Sequence, residues 1–214
     1  MKLIIKDLCK SIKNKKIINN VNVEFESGNI YGIIGGGDKR IFLKLLCSFC
    51  TPDSGYILQD DYNYSKKKEF PKNTRVSLNI ENFFEDLTGY ENLKKIANIE
   101  NKIIDKDIDS ALKDVFLFDA KNVKFKKYTL DMKNKLSIAQ VIMEKPGCII
   151  LDEPFNYMEQ VDIKQIKNVL RELKESGCLI IVASYIKDEL YDFCDRVYEF
   201  SNGKLVEHLN WNVY

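Results

Sequence analysis

The sequence has 214 residues, enough for one domain or one domain with a sub-domain. It is 45% hydrophobic and 30% charged, and 33 basic side chains stand against 32 acidic ones. The resulting net charge of +1 excludes a global electrostatic pull toward nucleic acid or an anionic membrane. No stretch approaches the ~18 uncharged apolar residues of a spanning helix, and the run after Met1 is too short for a signal peptide. Work at a membrane is therefore expected only through a partner protein.

Leu3 to Leu8 reads as a first strand, and Lys13-Asn14-Lys15-Lys16 as a turn. Ile17 to Phe25 alternates apolar and polar residues, the pattern of a half-buried strand. Asn29 to Ile34 is a buried strand followed at once by Gly35-Gly36-Gly37, and a helical pattern runs from Lys39 to Cys50. Tyr56 to Leu58 is a short strand, residues 60 to 73 with Lys66-Lys67-Lys68 a solvated loop, and Arg75 to Leu78 a further strand. Thr88 with Glu91 three residues on forms a capping box for a helix. More helices are expected near Ile108–Leu117 and Met132–Glu144, then from Val161 to Glu175 with a stop at Gly177, and from Lys187 to Phe193. Cys148 to Leu151 is a wholly apolar strand and Leu179 to Ser184 another buried strand, and Arg196–Phe200 and Lys204–His208 form a hairpin about Asn202-Gly203.

The six cysteines include one CxxC, Cys47 and Cys50, inside an apolar helical pattern. Neither a redox context nor further zinc ligands accompany it, so reduced thiols packed in a core and a cytosolic location are expected.

Chemistry concentrates at two points. The strand from Cys148 ends in Asp152-Glu153-Pro154, at the edge where open α/β sheets bind ligands. Two acids there suit a Mg²⁺ ligand and a residue that polarises water, although a strand end can also be acidic without function. The strand–glycine–lysine–helix order at residues 29 to 50 is the layout of a phosphate-binding loop: backbone N–H groups close around phosphate oxygens and the lysine reaches the terminal phosphates.

The landmarks Tyr31-Gly32-Ile33-Ile34-Gly35, Thr51 to Ile57, Leu87 to Leu93, Tyr128 to Met132, Cys148 to Pro154 and Ser201 to Lys204 fall in an order that resembles the nucleotide-binding subunit of an ABC transporter. The likeness covers essentially the whole chain. It is nearest to bacterial single-domain subunits that pair with separate membrane proteins, such as those exporting peptide antibiotics. It implies an α/β fold: a RecA-like P-loop NTPase core with an antiparallel β sub-domain and an inserted α-helical sub-domain. Residues 1–84 and 146–214 would form the core and β parts, and 85–145 the helical part. It also implies ATP and Mg²⁺ as ligands, a homo- or heterodimer of ABC subunits, a transmembrane permease subunit as partner, no nucleic acid, and a cytoplasmic position at the inner face of the membrane. In this scheme Gly35, Gly36, Gly37, Lys39 and Arg40 form the phosphate loop. Asp152 and Glu81 are metal ligands, Glu153 and Tyr185 hold the catalytic positions, and Thr129 and Asp131 stand in the signature segment.

The sequence departs from the family where nucleotide is touched. Against G-x-x-x-x-G-K-S/T, the run Gly35 to Arg40 is two residues short, Arg40 replaces the Mg²⁺-binding hydroxyl, and Asp38 adds negative charge. Asp131 takes the place of a close-approach glycine, Tyr185 that of the switch histidine, and Ile12 that of the aromatic that stacks on adenine. Two readings follow. One is an ATP-binding subunit with weakened or lost hydrolysis, in which ATP or Mg²⁺ binding is itself in question. The other is a non-catalytic interaction module that docks a membrane subunit or an active ATPase. Arg40 is further expected to pair with Asp152 or Glu153 in place of the metal.

Overall fold

The chain opens with two long antiparallel strands, β1 (Lys2–Ile12) and β2 (Lys15–Glu26). They turn tightly at Lys13 and Asn14, both at positive φ, which suits the right-handed twist of a hairpin. β3 (Ile30–Ile34), all five residues buried, leads into α1 (Gly37–Leu46). Next come β4 (Ser54–Gln59), α2 (Tyr64–Lys67), β5 (Thr74–Ser77), α3 (Gly89–Glu100), α4 (Asp105–Asp114) and α5 (Leu130–Ile142). The last third supplies β6 (Cys148–Asp152), α6 (Gln160–Glu175), β7 (Leu179–Ser184), α7 (Asp188–Tyr191), β8 (Arg196–Ser201) and β9 (Lys204–Glu207). The structure is a computed structural model, and it describes residues 1–78, 83–100 and 103–208.

Among the described residues the strands form two sheets. An antiparallel sheet has the order β2-β1-β4, and a six-stranded sheet the order β5-β6-β7-β3-β8-β9. The second is parallel except for β9, which returns antiparallel to β8 through Asn202 and Gly203 at positive φ. β6 is buried on both faces, as its apolar run predicts. Ile149 and Leu151 enter one core with helices α3 to α6, while Cys148 and Ile150 enter the other with α1 and the antiparallel sheet. This sandwiching fixes Asp152 at the carboxyl edge of the sheet, beside the end of β7.

Most elements lie where periodicity places them, with three corrections. Helix α1 begins at Gly37 rather than Lys39 and stops at Leu46, so Cys47 caps it and Cys50 lies beyond its end. Burial pushes the Cys47 thiol up to about 12 and raises Cys50 as well, which keeps both protonated. The segment 60–73 is not wholly loop. Tyr64 buries its ring and donates to the Leu46 carbonyl at 2.8 Å, and Ser65 accepts from Ile57 N at 2.8 Å, which folds one helical turn there. Lys66, Lys67 and Lys68 still face solvent. The last short helix, α7, is tighter than expected, ending at Tyr191. The capping box holds: Glu91 N donates to Thr88 Oγ1 at 3.1 Å and Thr88 N to Glu91 at 2.7 Å.

One glycine decides how β4 joins β1. Gly55 has φ +80° and sits against a bulge at Asp7, where a Cβ would lie 2.4 Å from the carbonyl oxygens of Lys6 and Asp7. Gly55→Ala is expected to cost at least about 2 kcal/mol, from the left-handed backbone plus a forced shift of β1. A urea titration of the variant checks it; a loss below about 0.5 kcal/mol, the range of neutral surface changes, would refute the contact.

Candidate functional site

The phosphate-loop glycines lie between β3 and α1, and the turn is short: α1 begins at Gly37, leaving only Gly35 and Gly36 outside regular structure. A Cβ at Gly35 would stand 3.0 Å from Phe200 and 3.2 Å from Asp38 Oδ1, so the chain packs closely here. Asp38 folds back over the turn, and its Oδ1 accepts from Lys39 N at 3.0 Å. The first turn of α1 thus carries its own carboxylate where a bound anion would be favoured.

Lys39 is 1% exposed. Its Nζ lies 3.3 Å from Asp152 Oδ1, forms an ion pair with Glu153 Oε1, and stands 3.7 Å from the centroid of the Tyr185 ring. Arg40, next in the helix, donates from Nε to Asp152 Oδ2 at 2.9 Å. Of the two partners expected for Arg40, Asp152 or Glu153, the structure shows Asp152. The Asp152 carboxylate holds the Arg40 guanidinium above its ordinary value, chiefly through that hydrogen bond. Two cations from one helical turn meet two carboxylates at the end of β6, and the cluster is electrically neutral.

Glu153 adopts φ 53°, an uncommon conformation for a side-chain-bearing residue. Its N–H is held by the Ala183 carbonyl at 2.8 Å, and its Oε2 lies 3.5 Å from Ser184 Oγ. Ser184, fully buried, donates to Glu189 at 2.8 Å and accepts from Ile186 N at 3.0 Å. Burial raises the Glu189 carboxyl, with the Ser184 hydrogen bond opposing. Sequence reasoning missed Ser184 and Glu189; the only signal was a hydroxyl ending an otherwise apolar strand.

Thr129 and Asp131 form a second cluster. Thr129 is the N-cap of α5, its Oγ1 accepting from Met132 N at 3.2 Å. Asp131 pairs with Lys135 at 2.9 Å, and Lys135 with Asp162 of α6 at 2.7 Å. Asp131 Oδ1 is buried without a hydrogen-bond partner among the described residues. Asn134, 3% exposed, donates to the carbonyls of Pro154 and Asn156, both at 2.9 Å, and ties this helix to the segment after Glu153. Asn134→Ala is expected to cost about 1–3 kcal/mol by leaving two carbonyls unpaired, measurable as a shift in the urea midpoint. An unchanged midpoint would show that the two carbonyls find other partners. Glu81 lies outside the described residues.

A cleft of about 940 Å³ opens beside the loop, lined by Ile12, Lys13, Lys15, Lys16, Gly36 and Asp38, among others. Ile12, read from sequence as at or near the family's aromatic position, borders the cleft. The three lysines of the first turn, read from sequence only as a turn, converge on the same space.

Mg²⁺ does not fit the donor set. It requires open oxygens in near-octahedral array, whereas both oxygens of Asp152 are taken by cations and the Asp152 side chain is 1% exposed.

These elements define the class: a RecA-like α/β core of the P-loop NTPase type. The ABC transporter family model matches residues 18–156. Relatives include the ABC transporter ATP-binding protein YybJ of Bacillus subtilis (strain 168), 34% identical over 93% of this chain and 92% of its own length. The bacitracin transport ATP-binding protein BcrA of Enterococcus faecalis is 32% identical over 95% of this chain and 68% of its own. The lantibiotic transport ATP-binding protein SrtF of Streptococcus pyogenes is 28% identical over 95% and 89%. Among solved structures, an ATP-binding subunit of an ABC transporter superposes with TM-score 0.84 at 20% identity, covering 97% of this chain and 90% of that one. A dimeric cassette, MJ0796 bound to ADP and Pi, superposes with TM-score 0.85 at 18% identity, covering 96% and 97%. At these identities the structures show the fold. The chain belongs to the ABC transporter family, as an ATP-binding subunit.

Proposed function

We propose that this subunit serves a transport system while turning over little or no ATP at its own site. The observation that carries the reading is the Lys39–Arg40–Asp152–Glu153 cluster. The lysine expected to reach phosphate is buried against two acids, and the acid expected to hold metal is neutralised by an arginine. A catalytic site of this kind needs a lysine free to meet developing charge and a carboxylate free to orient water. Here both are committed to each other. Tyr185 offers Lys39 an aromatic face where the family's switch histidine would stand.

The reading extends to partners. Leu130, Tyr157, Val161, Tyr185 and Ile186 are large apolar side chains at least 50% exposed, on segments close to Thr129 and Glu153. They support a second ABC subunit on this face, in a homo- or heterodimer. A separate permease, the partner that the ABC transporter relatives support, would supply the membrane span; among the described residues no helix is long and apolar enough to cross. In this reading the subunit works at the cytoplasmic face of the membrane, through that permease. The names of the BcrA and SrtF relatives support a peptide-antibiotic cargo. The division into residues 1–84 with 146–214 and an inserted helical part 85–145 belongs to the same proposal. The second reading, a non-catalytic interaction module that docks a membrane subunit or an active ATPase partner, is favoured by the withdrawal of Lys39 from solvent, and ATP binding separates the two.

The test is phosphate release from MgATP by the purified chain, alone and with its permease. Turnover at or above about 1 s⁻¹, the lower end of common enzymic rates, would overturn the proposal.

A further inference from the structure

We propose that Arg40 stands in for the divalent cation, so that this cleft takes a nucleotide polyphosphate as the free anion and gains nothing from Mg²⁺. The inference rests on the reading of this cleft as a nucleotide site with little or no turnover.

A bound Mg²⁺ would have to displace the guanidinium 2.9 Å from Asp152 Oδ2 and the ammonium 3.3 Å from Oδ1. Entering beside them instead, it would add two positive charges to a cluster that is already neutral. Position 40 supplies no hydroxyl in exchange. Arg40 does not itself line the cleft, but on α1 it stands between Asp38 and Ile41, which do, and its side chain remains 50% exposed while its Nε is fixed on Asp152. A planar guanidinium is a strong phosphate partner.

Phosphate charge that no metal neutralises must be met by the protein. Lys13, Lys15 and Lys16 line the cleft with Gly36 and Gly37, and none has an ion-pair partner among the described residues. Asp38 lies in the same lining and opposes them, leaving two net positive charges there. The named lining holds no aromatic side chain, so recognition rests on charge and not on stacking with a base. The cleft volume lies within the roughly 300–1,000 Å³ usual for small-molecule sites. Mg²⁺ in solution removes charge from the triphosphate, so in this cleft it competes for the ligand where in a metal-holding site it would assist.

The experiment is isothermal titration of the full chain with ATP, and with inorganic tripolyphosphate, each in EDTA and in excess Mg²⁺. Both ligands are expected to bind in EDTA, and Mg²⁺ to leave the affinity unchanged or weaker. Absence of binding in EDTA, or tightening by Mg²⁺ of more than about threefold, overturns the proposal. Arg40→Ser is expected to create a Mg²⁺ dependence of about tenfold or more by freeing Asp152 Oδ2 and supplying a hydroxyl beside it. A variant that melts like the parent yet shows no such dependence counts against it. Replacing Lys13, Lys15 and Lys16 by alanine together is expected to weaken both ligands by about tenfold or more; unchanged affinity refutes the lysine role. Mg²⁺-dependent binding without turnover would sink this inference and leave the hydrolysis reading standing. Turnover would sink that reading instead.

Discussion

Lys39→Met lowers the stability of the folded chain by about 3–5 kcal/mol, the cost of breaking a buried ion pair by removing one partner. Methionine fills nearly the same volume, so the effect isolates charge. Arg40 still covers one oxygen of Asp152, but Glu153, with a side chain only 10% exposed, keeps only the long 3.5 Å contact to Ser184 Oγ among the side-chain hydrogen bonds of the described residues. At roughly 2–4 °C per kcal/mol for a chain of this size, the melting temperature falls by about 6–20 °C. Lys39→Met combined with Glu153→Gln recovers most of the loss, because the uncompensated charge is gone. A lysine that waited in solvent for a phosphate would behave differently: its replacement would change stability by less than about 0.5 kcal/mol. Urea unfolding of the two variants at constant slope decides between them, and a near-neutral Lys39→Met would mean that the buried cluster does not hold the fold.

The difference between what the sequence showed and what it hid follows the range of the interactions involved. The strand Cys148–Asp152 was legible because burial on both faces leaves a continuous apolar run. The Thr88–Glu91 box and the Asn202-Gly203 hairpin were legible because each is settled within a few residues. The Arg40–Asp152 pair spans 112 residues and was still anticipated, since two family positions known to converge had exchanged a hydroxyl for a cation. The burial of Lys39 was not anticipated. Its direction depends on Glu153 and on the Tyr185 ring, and only packing shows that the side chain turns toward them rather than toward the loop. The helical turn at Tyr64 was hidden for the same reason, because its anchor is the carbonyl of Leu46. The lysines at 13, 15 and 16 read as an ordinary polar turn until the fold set that turn beside Gly36.

Restoring the missing groups together raises ATP turnover by about a hundredfold or more over the parent chain, the scale on which single transition-state donors and acid–base groups act. The variant carries two residues inserted after Gly36, Asp38→Gly, Arg40→Ser, Asp131→Gly and Tyr185→His. Each change answers a specific contact. The insertion supplies backbone N–H groups that the two-residue turn lacks. Arg40→Ser removes the cation from Asp152 Oδ2 and returns a hydroxyl. Tyr185→His removes the ring against which Lys39 Nζ lies and provides a group that titrates near neutrality. Asp131→Gly clears a carboxylate from the start of α5, where one of its oxygens is already buried without a partner. The fold tolerates this last change: Lys135 keeps Asp162 at 2.7 Å, and losing an acid in the first turn costs about 0.3–1 kcal/mol. Single restorations yield little, because groups that act as a unit are strongly non-additive. Glu153→Gln in the restored background abolishes the gain if Glu153 handles the attacking water. A restored chain that folds, binds MgATP and still turns over at the parental rate would place the defect outside these positions and refute the assignment of the lost activity to them.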